Sequence, residues 1–234
     1  MRIDKSRLIE LGLVDTWQYF VSAFNATEAL RVYRLVEEEL LKKKSSNLKD
    51  IVNGIKELPE AERKTFPPGD FCTIGEVNVS LSFLYNLNTG NFFQAASNFF
   101  DYLSQIINLI YLDESKRIDK VDFGKLLRKK DSITSSGIVT LITDIAESEK
   151  YKFICDYNNT VKHNHGINTT IYTSCETLGM SGKVAAFSKE VQGIERKHDS
   201  SVTSEKMDEI HQFVSDTFES FTNEFAAIYN GQKG

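Results

Sequence analysis

The sequence predicts an all-α protein, a helical bundle with one small β-hairpin inserted near residues 169–191. Three observations lead there. Only three prolines occur in 234 residues, two of them adjacent at Pro67 and Pro68. Long stretches repeat apolar residues at spacings of three and four. Leu, Ile, Phe, Glu and Lys, good helix formers for the most part, fill those stretches. A hydrophobic fraction of 41% with 26% charged residues is that of an ordinary globular chain with a core, not of a disordered one. The length fits one domain over 1–234, with residues 1–70 as an N-terminal helical extension.

Taken in order, a helix is expected from Asn25 to Lys44. Its stripe is Ala26, Leu30, Tyr33, Val36 and Leu40, and Asn25 with Glu28 forms a capping box. Glu37, Glu38 and Glu39 precede Lys42, Lys43 and Lys44, a charge run that reads as a solvated face with pairs one turn apart. A shorter helix covers Leu48 to Leu58 and stops before Pro59; Glu60 to Gly69 then reads as a loop. Residues 76–87 carry two periods, strand-like alternation through Val77, Val79, Leu81 and Phe83 and helical spacing after Leu84. Asn91 to Leu112 is the clearest helix, striped by Phe92, Ala96, Phe99, Leu103, Ile106 and Ile110. A further helix starts after Ser135 and Ser136, breaks near Ser148 and runs to a stop at Gly166. Thr169 to Glu176 and Lys183 to Val191 supply the hairpin. Thr203 to Tyr229 closes the chain as a long amphipathic helix suited to packing on the bundle or on a second subunit.

The net charge of −5 argues against a protein coated in basic surface, although the cluster Lys116 to Lys130 is locally basic. Cys72, Cys155 and Cys175 are odd in number, far apart and without a CxxC pair, so no disulfide framework or cysteine-rich zinc site is expected. Met1 to Leu13 lacks the pattern of a signal peptide, and no apolar run is long enough to span a bilayer. The expectation is a cytoplasmic protein without membrane, metal or cofactor.

One segment concentrates chemistry where a helix should end: Asp156, Tyr157, Asn158, Asn159, Thr160, Val161, Lys162, His163, Asn164, His165. On a helix Asp156, Asn159 and His163 share a face. A carboxylate there can orient an imidazole, which can act as general acid or base near neutral pH, while Lys162 can hold a phosphate. The plainer reading is that Asn, Asp and His at a helix C-terminus cap carbonyls or sit in solvent. His163 and His165 are too few ligands for a metal.

Long helices, then Asn158-Asn159-Thr160-Val161-Lys162-His163 at a helix end, a short extended insertion and a last long helix: this order resembles HEPN domains over about the C-terminal two thirds of the chain. In that superfamily an Arg followed by a polar residue precedes a His by four to six residues. Two domains pair so that both motifs face one composite site, and many members cleave RNA without a metal. The resemblance implies a homodimer acting on RNA or a nucleotide, in a defence or toxin setting. His163 with Asp156 would be catalytic, and Asn158, Asn159 and Lys162 would bind substrate. The position of the Arg holds Asn158, and a neutral amide cannot give the forked cationic contact of a guanidinium. Two readings therefore stand: a metal-independent ribonuclease, and a non-catalytic interaction or nucleotide-binding module.

Overall fold

The computed structural model describes residues 3–57, 71–74, 76–163, 167, 169–173 and 180–230. Its order is α1 (Lys5–Glu10), a 3-10 turn, α2 (Trp17–Glu57), β1 (Phe71–Ile74), β2 (Val77–Ser80), α3 (Leu81–Ile110), α4 (Phe123–Arg128), α5 (Ser136–Glu147), α6 (Glu149–His163), β3 (Thr169–Thr173), β4 (Met180–Val184), β5 (Phe187–Val191), β6 (Ile194–His198), β7 (Ser201–Val202) and α7 (Thr203–Tyr229). The chain is mostly helical, as expected, but the described strands exceed one hairpin. They form three antiparallel sheets: β1–β2, β3–β4–β7 and β5–β6. The expected insertion becomes a three-stranded sheet plus a second hairpin that runs on to His198. The reversal between β5 and β6 uses Gln192 and Gly193, both at positive φ (53° and 80°); Gln is not among the usual residues for that turn.

Two helix ends differ from the sequence expectation. α2 neither starts at Asn25 nor breaks near Ser45, but runs for 41 residues. The modest propensity cost of Ser45, Ser46 and Asn47 is overridden by tertiary contacts, among them Lys44 Nζ on Ser82 Oγ at 3.0 Å and Asn47 Nδ2 on the Phe71 carbonyl at 3.1 Å. The double period of 76–87 resolves as a switch at Leu81 from strand to helix. The break at Ser148 is present: its N–H donates to the Asp144 and Ile145 carbonyls to close α5, and its Oγ accepts from Lys150 N as α6 begins. Glu60 to Gly69, Gly166 and His165 lie outside the described residues.

The chain divides into two compact units: residues 1–31, 93–159 and 209–234, and residues 32–92 and 160–208. The first is built on an aromatic web. Phe20 meets Phe221 and Phe225, and Phe93 meets Phe153 and Tyr157. Phe100 lies among Phe99, Phe123, Tyr151 and Phe213, with ring centroids 4.9 to 5.9 Å away. Ile138, Ile142 and Ile145 of α5 and Ile210, Val214, Phe221 and Phe225 of α7 complete this core, on the stripes their spacing predicts. In the second unit Leu81, Tyr85, Val184 and Met207 are buried. Gly182 of β4 lies against the Tyr85 hydroxyl, where a Cβ would collide with the phenol.

Because Phe100 has four aromatic neighbours and almost no exposure, Phe100→Ala should cost about 3–5 kcal/mol through lost burial and an unfilled cavity. Urea unfolding of the purified variant measures it, and a loss under about 1 kcal/mol would show that the web is not the core of that unit.

Candidate functional site

α6 carries the whole motif segment up to its last residue, His163. Asp156, Asn158 and Asn159 belong to the first unit, whereas Lys162 and His163 belong to the second. Within the first unit the helix turns Asp156 inward, 1% exposed, while Asn159 stands in solvent. Three helical positions are 60° apart in projection, enough to separate an inward residue from an outward one at the edge of a buried face. Asn158 is 6% exposed, and its amide nitrogen is fully engaged. Nδ2 donates to the Phe93 carbonyl of α3 at 2.8 Å and to the Ile154 carbonyl, one turn back in α6, at 3.1 Å. An amide nitrogen has two hydrogens, so both donors are spent on backbone. The bond to Phe93 is flanked by the Phe93–Tyr157 ring contact, 4.3 Å between centroids, and α6 is thereby fastened to α3. In the second unit, Lys162 is exposed.

The locally basic stretch Lys116 to Lys130 is organised by local contacts. Val121, Phe123 and Leu126 are buried, and Phe123 packs on Phe100 and Tyr151, so it offers no ring to a base. Lys125 Nζ donates to the Lys120 carbonyl at 2.7 Å and pairs with Asp122 at 3.3 Å; Arg117 donates to the Leu109 carbonyl at 2.9 Å. α5 and α7 also border an open groove of about 360 Å³ lined by Thr140, Asp144, Ser220, Asn223 and Glu224. The Glu224 carboxylate rests on the Cα of Gly137 at the start of α5. No group of three or more His, Cys, Asp or Glu among the described residues is placed to hold a metal ion.

The cluster that sequence reasoning missed lies in the second unit. Glu37 was read as part of a solvated charge run, and Glu38 and Glu39 do pair with Lys42, at 2.8 and 3.0 Å. Glu37 itself is fully buried. The Tyr85 hydroxyl donates to its Oε1 at 2.7 Å, and Arg34 Nη1 pairs with its Oε2 at 2.9 Å. Arg34 also grips Asp208 with a fork, Nε to Oδ1 at 2.9 Å and Nη2 to Oδ2 at 3.3 Å. The Thr203 hydroxyl neighbours the phenol and is buried outside hydrogen-bond geometry. The available signal was phase: Ala26, Leu30, Tyr33 and Glu37 step by four, three and four, and the inward face continues to Glu37, not to the exposed Val36. Burial pushes the Glu37 carboxyl above its usual range, outweighing the Tyr85 hydrogen bond and the Arg34 charge that pull it down. Burial likewise raises the Tyr85 phenol, so it stays protonated and remains a donor.

A carboxyl whose native pKa is raised binds more protons in the folded state than in the unfolded one. Stability from this group is therefore greatest at low pH and falls as pH rises from the unfolded value through the raised native one. Tyr85→Phe removes a donor from a buried carboxylate, costs about 1–3 kcal/mol and moves that fall to still higher pH. Glu37→Gln removes this group's share of the slope. Thermal unfolding followed from pH 4 to 8 reads both; identical slopes in parent and Gln variant would remove Glu37 as their source. For Asn158→Ala, which strands the Phe93 carbonyl, urea unfolding should show a loss of about 1–3 kcal/mol.

Comparison of the chain with protein-family models, with curated proteins and with solved structures found no match.

Proposed function

We propose that this chain is a HEPN-like helical-bundle module that binds RNA without cleaving it. The observation that carries the reading is Asn158. It stands where the resembled motif has its Arg, it is neutral, and both amide donors are bound to the Phe93 and Ile154 carbonyls. Stabilising a pentavalent phosphate needs a donor aimed at the developing charge, and a side chain committed to its own backbone is not so aimed. Asp156, 1% exposed, is a poor partner for solvent-borne chemistry. What remains outward is Asn159, a neutral amide, and Lys162, a compact cation suited to a phosphate as a point charge. Holding a backbone needs no more than that, whereas cutting it does. The pairing of two copies belongs to the same proposal, with a sedimentation mass near twice 26.6 kDa as its expected outcome.

The test uses a short fluorescently labelled single-stranded RNA. Anisotropy should report binding that weakens steeply with salt, and a denaturing gel should show the RNA intact after long incubation. Lys162→Ala should weaken binding roughly fivefold, the equivalent of about 1 kcal/mol. Cleavage that disappears in His163→Ala would replace this reading by the ribonuclease one, and absence of binding at low salt would remove both.

A further inference from the structure

In the first unit, the groove between α5 and α7 gathers polar side chains that the fold itself does not use. Glu224 of α7 rests on Gly137, in the first turn of α5, and Asp144 stands two turns further along α5. Those seven residues bring the helix back to within about 20° of the same face and advance it roughly 10 Å. Two carboxylates therefore mark the ends of one groove, with the half-buried Leu141 between them. Thr140 borders it on the α5 side, Ser220 and Asn223 on the α7 side. Among the described residues, none of these five polar side chains makes a hydrogen bond or an ion pair.

The two helices supply no counter-charge. α5 and residues 209–229 of α7 carry Asp144, Glu147, Glu209, Asp216, Glu219 and Glu224, and not one Lys or Arg. A cleft lined by one sign of charge concentrates ions of the other sign. A second observation falls at the Glu224 end. Tyr111 is 3% exposed, and its hydroxyl is buried without a hydrogen-bond partner. Burial raises that phenol first and Glu224 is the one charge that adds to the rise, so the hydroxyl stays protonated within the field of that carboxylate. Its oxygen is left to accept from a donor held there.

A carboxylate at each end suits a cation at each end, the hydroxyls and amide along the walls suit N–H donors, and Leu141 suits methylenes. A single metal ion cannot touch both carboxylates at such a separation, because its ligand oxygens stand only about 2.3–2.6 Å away. The volume, about 360 Å³, is that of a small-ligand site. We infer that the α5–α7 groove binds a linear polyamine, extended with one terminal ammonium on Glu224, another on Asp144 and its methylenes over Leu141. Extended spermidine sets its terminal nitrogens roughly 11 Å apart, whereas butane-1,4-diamine spans roughly 6 Å and reaches one carboxylate at a time, both at bond lengths of about 1.5 Å.

Calorimetric titration of the full chain, freed of nucleic acid, with spermidine at low salt tests the site. Spermidine should bind about tenfold more tightly than butane-1,4-diamine, and Glu224→Gln and Asp144→Asn should each weaken it about tenfold, as loss of one charged contact does. Glu219→Gln removes an equal charge from an exposed position of α7 outside the groove and should leave the affinity unchanged. Lys162→Ala, in the second unit, should do the same, so the groove and the RNA contact fail separately. A loss in Glu219→Gln as large as in Glu224→Gln overturns the site in favour of diffuse attraction to an acidic surface. Equal affinity for the two amines overturns the two-ended pose, and a tetralysine peptide that displaces spermidine at lower concentration reassigns the groove to a basic protein segment. A parent protein that binds no spermidine overturns the inference outright.

Discussion

The second unit is arranged around one carboxylate that has no access to water. A buried ionised group is tolerated only when its lone pairs are met by donors and its charge by a partner, and Glu37 draws those from two elements. Tyr85 of α3 reaches one oxygen and Arg34, one turn earlier in α2, reaches the other. Arg34 then extends the network to Asp208 near the start of α7. The phenol can take this path only because β4 has no side chain at Gly182, where even a methyl group would strike the ring. A helix, a helix, a strand and a helix start are thus held to mutual positions by polar geometry, which is directional, as well as by apolar burial, which is not. Glu37 and Tyr85 are fully buried, so losing the phenol deprives a buried carboxyl oxygen of its donor, whereas Asp208 at the far end of the network keeps access to solvent.

The first unit solves a similar problem with a neutral group. Asn158 bridges two helices through backbone carbonyls, within the ring contacts of Phe93, Phe153 and Tyr157. An arginine at the same place would have to bury or redirect a permanent charge, and the site offers two carbonyl oxygens with no carboxylate among Asn158's hydrogen-bond partners. The residue that makes the motif differ from the one it resembles is also the residue that fits its surroundings. The same atoms cannot serve as the interhelical bridge and as a donor to substrate.

How much of this the sequence disclosed depends on whether a signal was local. α7 was legible end to end because Met207 to Phe225 keep one helical phase and no competing pattern interrupts them. The break at Ser148 was legible because a serine cap is written in one residue. The continuity of α2 was not, since Ser45 to Asn47 look like an ending until contacts from Ser82 and Phe71 are known. Glu37 was hidden by composition: three consecutive glutamates before three lysines read as solvent-facing, and only the helical phase from Ala26 separates the buried one from its neighbours. Along α6, spacing located Asp156, Asn159 and His163 on one side of a helix but not the edge of burial, which falls between the first two. That edge is set by what packs on α6 from distant sequence.

The β5–β6 hairpin shows how a tight turn dictates which side chains oppose one another. A two-residue turn is the tightest way to reverse a strand, and with positive φ at Gln192 it already carries a cost for a residue with a Cβ. Such a turn leaves no slack in register, so a mirrored sequence must oppose like to like. On the anionic face the chain compensates from within, by Ser188 and Lys197. On the cationic face no acidic residue of the hairpin's own ladder is available, because the alternation that gathers Lys189 and Arg196 removes Glu190 and Glu195 to the other side.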